Sequence, residues 1–231
     1  MARRAMAVLT LGVLAALPAT AGASSLQLRI GGFFPRADSN LFRDDSSLYT
    51  VNKSDWQGVF GGAEFSFTPA DHVEVGVHLD GYGRRVDTHY RDYTRPSGGE
   101  ILQSLKLTLV PLGATLRFLP ADRHATVSPY VGIGPDLVFY KYEEFGDFID
   151  FGDPGLSISA DDFVSQGARP GFHVTGGLRV RIGHDFAILG EGRYQWAKAT
   201  LGDDFRPQPG QDALRLDMSG WSAVVGLSIR F

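Results

Sequence analysis

The chain has 231 residues, with 22 Lys and Arg against 26 Asp and Glu, a formal charge of −4 and no cysteine. Mild acidity argues against nucleic acid as a partner. The missing thiols exclude a disulfide scaffold, a zinc–thiolate site and a cysteine nucleophile. Its 29 glycines and 12% aromatic content favour an all-β chain.

Residues 1–23 carry a basic start (Arg3, Arg4), an apolar run from Ala5 to Leu17, a break at Pro18 and then Ala21-Gly22-Ala23. That is the pattern of a secretory signal peptide with an Ala-x-Ala cleavage site, and too short for a membrane span. Cleavage after Ala23 would leave 208 residues, 24–231, with 20 basic and 26 acidic side chains. One barrel or one domain accounts for that length. No later apolar run approaches the about eighteen residues of a transmembrane helix.

From Leu26 onward the dominant period is two, the period of strands. Leu26, Leu28, Ile30 and Phe34 oppose Gln27 and Arg29. Between Trp56 and Phe67, Val59, Ala63, Phe65 and Phe67 oppose Glu64 and Ser66. Val73, Val75, Val77 and Leu79 oppose Glu74, His78, Asp80 and Tyr82. In the fourth strand the apolar parity changes between Leu109 and Val110, which predicts a β-bulge beside Pro111. The fifth runs from Ser128 to Tyr140. The sixth sets Phe172, Val174, Leu178, Val180 and Ile182 against His173, Thr175, Arg179 and Arg181. The seventh sets Phe186, Ile188, Tyr194 and Trp196 against Leu189, Glu191, Arg193 and Gln195. The last, Trp221 to Phe231, is apolar at every odd position and about the ten residues that cross a hydrocarbon layer as a tilted strand.

These eight strands are joined alternately by long polar stretches (35–55, 87–99, 143–169, 201–217) and short turns. The asymmetry matches long extracellular loops and short periplasmic turns. Arg29, Glu64, Glu74, His78, Asp80, Arg84, Lys106, Arg117, Asp136, Arg179, Arg181, Glu191, Arg193 and Arg230 share the polar face. In an eight-stranded barrel that face turns inward, where space suffices only for side chains. Mixed acids and arginines at this density predict a paired plug rather than a wide pore. Phe33, Phe34, Trp56, Tyr130, Tyr140, Tyr142, Tyr194, Trp196 and Trp221 are placed as interfacial girdles would be.

The segments Ser128-Pro-Tyr-Val-Gly-Ile-Gly, Val110-Pro-Leu-Gly-Ala-Thr-Leu-Arg-Phe and Gly226-Leu-Ser-Ile-Arg-Phe231 resemble the outer-membrane β-barrel domain family, which holds the OmpA-, OmpX- and OmpW-type barrels. The resemblance implies an eight-stranded antiparallel up-and-down transmembrane β-barrel in a bacterial outer membrane. Its implied partners are outer-membrane lipid and lipopolysaccharide, and the barrel assembly machinery, which would read terminal Phe231. It implies a monomer, no cofactor and no metal. It supplies no catalytic residue. The role expected is structural or surface-interactive, with a plugged polar interior. The alternatives are a narrow channel for small or hydrophobic solutes and a lipid-modifying enzyme.

Two groupings carry candidate chemistry. His78 with Asp80, and His173 with Thr175, bring imidazole, carboxylate and hydroxyl to one interior, the ingredients of a hydrolase. Pairing within the interior network is the plainer reading. The stretch Glu143–Arg169 holds seven acids (Glu143, Glu144, Asp147, Asp150, Asp153, Asp161, Asp162) and one base. Such a loop would bind divalent cations weakly, take a partner beside Phe145, Phe148, Ile149 and Phe151, or simply stay solvated.

Overall fold

The computed structural model describes residues 24–121, 125–150, 157–205 and 212–231. The stretch expected as a signal peptide, 1–23, lies outside them, as do His124, Phe151 and Asp153. The strands are β1 (Ser24–Pro35), β2 (Gly58–Ala70), β3 (Val73–Thr94), β4 (Glu100–Phe118), β5 (Val127–Ile149), β6 (Ile158–Arg181), β7 (Phe186–Thr200), β8 (Arg215–Asp217) and β9 (Gly220–Arg230). Each pairs antiparallel with the next, β9 taking the place beside β7, and β9 closes the ring on β1 with Arg29 opposite Gly226. The barrel therefore has eight strands, as the alternation predicts. Tiny β8 lies on Lys198–Thr200 inside the last long connection.

Leu28, Ile30, Val59, Val131, Ile133, Leu178, Val225 and Leu227 point outward and stay exposed. An apolar belt around a closed ring has a stable home in hydrocarbon, where a sheet must leave no edge unpaired. Phe172, Trp196, Tyr194 and Trp221 form a run of ring contacts on the outer surface, with centroids 4.4–5.0 Å apart. Together with Phe34 they make part of the expected girdle. Phe33, Trp56, Tyr130, Tyr140 and Tyr142 do not, because they face inward and are buried.

The predicted bulge is absent at Pro111. The β4–β5 register runs unbroken through Leu109–Tyr140, Pro111–Val138 and Leu112–Leu137. Register shifts occur instead between Phe67 and Ala70, around Pro69 at the β2–β3 turn, and between His89 and Thr94 near the top of β3. The parity of β4 therefore never changes. Leu105, Leu107 and Leu109 point inward beside Thr115 and Arg117, and Lys106 points outward, where it pairs with Glu143 at 3.2 Å. Arg84 likewise leaves the interior set, and its guanidinium donates to the Asp55 carbonyl at the outer mouth (2.6 Å).

The reason lies in strand length. β3, β4, β5 and β6 have 22, 19, 23 and 24 residues, whereas β1, β2, β7 and β9 have 12, 13, 15 and 11. About ten residues suffice to cross the bilayer, so four adjacent strands rise beyond it as a tall wall. Stretches 87–99 and 143–169, expected as loops, are largely the upper parts of these strands: Glu143 opposes Val164 and Ile149 opposes Ile158. The two long connections from the short side fold into the hollow of the wall. Stretch 35–55 contributes helix α1 (Asn40–Leu48), followed by a 3-10 turn at Lys53–Trp56. Leu41, Phe42, Trp56, Leu216 and Met218 then pack against Leu105, Leu107, Val138 and Tyr142 in one core. The interior is thus ionised in the membrane half and apolar above it.

This inversion predicts opposite behaviour for two leucines of one strand. Leu107 is 0% exposed and Leu116 is 54% exposed on the lipid face. In urea unfolding, Leu107→Ala should cost about 2–5 kcal/mol, as in other packed cores, and Leu116→Ala much less. Equal losses would contradict the assigned parity.

Candidate functional site

Every ring strand except β9 projects an ionisable side chain into the membrane half. Arg29 from β1 binds both oxygens of Asp80 (2.8 Å) and donates to Glu64 (3.1 Å) and Glu191 (3.2 Å). Arg117 from β4 forks onto Glu64, with Nη2 at 2.7 Å from Oε2 and Nη1 on Oε1, and also reaches Glu74 and Glu191. Arg179 clamps Glu74 with two bonds of 2.8 Å. Arg193 donates to Asp80 (3.0 Å) and Glu191 (3.2 Å), and the Tyr130 hydroxyl donates to Glu191 (3.1 Å). All are buried. An isolated ion moved into such a medium costs of order 20 kcal/mol before relaxation, so these charges persist only because each is matched and hydrogen-bonded. The expected plug is present among Arg29, Glu64, Glu74, Asp80, Arg117, Arg179, Glu191 and Arg193. Arg181 and Arg230 sit at the periplasmic rim instead, around a cavity of about 50 Å³ that also touches Glu74, Arg179 and Asp185. Such a volume has room for a few water molecules.

The two histidines join a different set from the one their strand spacing suggests. His173 Nδ1 lies 2.9 Å from both oxygens of Asp136, and its Nε2 lies 3.0 Å from Thr115 Oγ1. His78 approaches the same Thr115 hydroxyl through Nδ1 (3.5 Å) and Asp136 through Nε2 (3.3 Å), while Arg193 Nη1 stands 3.0 Å from that Nε2. Thr175 takes no part; its hydroxyl donates to the Gly192 carbonyl (3.2 Å). Thr115, His173 and Asp136 have hydrolase-like contacts, but all are buried and closed in by Arg117 and Gly132. Sequence reasoning misses Thr115 because a single threonine among leucines has no signature of its own. Its inward parity, two residues before Arg117, is the signal that could have found it.

Above the bilayer Glu143 and Asp147 are drawn into ion pairs, and among the described residues this stretch forms no cation cage. Glu143 meets Lys141 (2.5 Å) and Lys106, Asp147 meets Arg95, and Asp161 and Asp162 stay exposed. Glu144 is different. It faces inward, and the Tyr142 hydroxyl lies 3.0 Å from Glu144 Oε1 and 2.8 Å from Asp45 Oδ2 of helix α1. One hydroxyl proton serves two buried carboxylates with no guanidinium between them. Burial pushes Glu144 up to about 7, and burial together with the Glu144 charge pushes Asp45 well above the ordinary range.

Two outcomes follow. Arg117→Met should lower stability by about 3–5 kcal/mol, because Glu64, Glu74 and Glu191 lose a shared partner; urea unfolding measures it, and a loss below about 1 kcal/mol would show the network to be solvated. A carboxyl raised in the folded state binds its proton more tightly there. Its contribution is therefore complete below the unfolded value near pH 4.5 and is lost as pH rises through about 7. Docking of α1 should weaken by about 3 kcal/mol between those limits. Hydrogen exchange of residues 40–56 at pH 5 and pH 8 reads this, and Glu144→Gln combined with Asp45→Asn should abolish the difference.

No protein-family model matches the chain, and no curated protein matches it. Solved structures do. A major outer membrane protein from Thermus thermophilus aligns with a TM-score of 0.52 at 13% identity, covering 92% of this chain and 100% of that one. Neisserial surface protein A aligns at 0.48 and 12%, covering 90% and 97%. The E. coli outer membrane protein W aligns at 0.41 and 17%, covering 90% and 98%. At these identities the likeness concerns the fold. The closed ring, its lipid-facing belt and its charged interior give this chain the fold of the small outer-membrane β-barrels and a place in the bacterial outer membrane.

Proposed function

We propose that the chain is a non-conducting, non-enzymatic barrel whose work is done at the cell surface, by the tall wall of β3–β6, with the membrane half serving as its anchor. One observation carries this reading. The interior is filled at both levels, by paired charges within the bilayer and by α1, Trp56, Leu216 and Met218 above it. A channel for small or hydrophobic solutes needs a path through both, and a lipid-modifying enzyme needs a reactive rim. What the wall offers to the outside is mixed in charge, with Arg91, Asp92, Asp161 and Asp162 exposed on it. That composition suits lipopolysaccharide headgroups and polar surface partners rather than an apolar ligand.

We also assign terminal Phe231 to the barrel assembly machinery, and a monomer to the folded state, since within the membrane half the ring closes on itself through β9 and β1. Phe231 is 70% exposed on the lipid face, near Phe65 (6.2 Å between centroids), and its amide bonds the Ser24 carbonyl (3.0 Å). The side chain is therefore displayed, not packed away.

The absence of cysteine allows a clean test. Asp161→Cys should react with a membrane-impermeant maleimide on intact cells, and Asp185→Cys at the β6–β7 turn should react only after lysis. The reverse pattern would overturn the surface assignment. Deleting Phe231 should sharply reduce the heat-modifiable barrel recovered from the outer membrane; normal recovery would remove the assembly role.

A further inference from the structure

Within the membrane half, one buried carboxylate has no guanidinium at ion-pair distance among the described residues. It is Asp136, and its partners are the imidazoles of His78 and His173. The geometry points to a site for one divalent transition-metal ion of the zinc class, held by His78 Nε2, Asp136 Oδ1 and His173 Nδ1. Each of the three residues offers one ligand atom, and these lie within 4.8 Å of one another. The two carboxylate–imidazole separations are 3.3 and 2.9 Å. Ligands bound at about 2.0–2.1 Å around a tetrahedral ion stand about 3.3 Å apart, so little has to move.

The orientation of the rings supports a metal over a random polar contact. Each imidazole turns one nitrogen toward Asp136 and the other toward a single oxygen, Thr115 Oγ1, at 3.5 Å for His78 and 3.0 Å for His173. Metal-bound histidines usually donate their far N–H to such an acceptor, which fixes the tautomer and leaves the near nitrogen's lone pair for the ion. A hydroxyl oxygen has two lone pairs and can accept from both rings.

The backbone also makes way. A Cβ on Gly113 would stand 2.1 Å from Asp136 Oδ1 and 2.7 Å from His78 Cε1, so the cluster closes only against glycine. Two imidazoles and one carboxylate suit Zn²⁺, Cu²⁺ or Ni²⁺, whereas Ca²⁺ and Mg²⁺ prefer all-oxygen shells. Binding displaces the proton on His173 Nδ1 and moves Arg193 off His78 Nε2. Arg193 keeps Asp80 and Glu191, its other partners. The Asp80 carboxylate, 3.8 Å from His78 Nε2, adds a second negative charge beside the ion.

Because the interior is closed, the ion must enter while the barrel forms. The chain should therefore be folded from urea into detergent micelles with Zn²⁺ present, washed with chelator, and analysed for metal by mass spectrometry. Wild type should retain about one Zn²⁺ per chain and melt at least about 3 °C higher than protein folded without metal. His173→Gln and Asp136→Asn should fall to background, while a His72→Gln/His184→Gln variant, altered only in exposed turns, should retain the ion. Wild type that retains no Zn²⁺ would overturn the site and leave a proton shared by the imidazoles as its occupant. Equal retention by His173→Gln would overturn it too, as binding elsewhere. Should Asp136→Asn fail to form the compact heat-modifiable species, wild type and His173→Gln decide the matter.

Discussion

The multidentate pairing of Arg29, Arg117, Arg179 and Arg193 with Glu64, Glu74, Asp80 and Glu191 is the interaction on which the barrel depends. A ring of eight strands in hydrocarbon must face its apolar residues outward, which forces the opposite parity inward. That inner parity occupies a cylinder wide enough for side chains and too narrow for bulk water. Any charge placed there has only the protein to solvate it. Guanidiniums that bridge two or three carboxylates meet this demand with few atoms, because their donors lie in a flat fork. The inward face of β9 is correspondingly small: a Cβ on Gly226 would stand 3.2 Å from Arg29 Cγ. Seven strands fill the space and the eighth leaves room for them.

The same constraint explains why polarity inverts higher up. Beyond the bilayer the outer face meets water, so the inner face no longer needs to be the polar one. There the wall carries Lys106, Lys141 and Glu143 outside and Leu105, Leu107, Tyr142 and Ile149 inside. The barrel behaves as two stacked proteins, an inside-out membrane protein below and an ordinary soluble core above. Asp45 and Glu144 belong to the upper one. They are two carboxylates buried side by side on the Tyr142 hydroxyl, and burial raises the proton affinity of both.

How much of this is legible in the sequence follows from where the period-two signal is strong. Between Val73 and Leu79, or Phe172 and Ile182, one face is lipid and the other ionic, and the alternation is plain. Past Tyr140 both faces are mixed, so the rest of β5 resembles the start of an acidic loop. The leucines of β4 mislead for a related reason. The apolar run from Leu105 through Leu116 suggests one environment, yet its inner members face the upper core and its outer members face lipid. Helix α1 buries only Leu41, Phe42 and Asp45, too few positions to impose a helical period on a polar stretch. The Asp136 cluster is readable only in part. Alternation puts His78, Asp136 and His173 inside, but which of them meet depends on the stagger of β3, β4, β5 and β6, which no single strand encodes.

Closure of the interior at two independent levels is the central claim, so the most direct measurement is single-channel recording of the folded chain in planar bilayers near neutral pH. No steady conductance is expected from the wild type. None is expected either from a variant lacking stretch 38–55, because the ionic layer remains in place below it. Steady steps in the wild type, of the size given by open porins, would contradict closure.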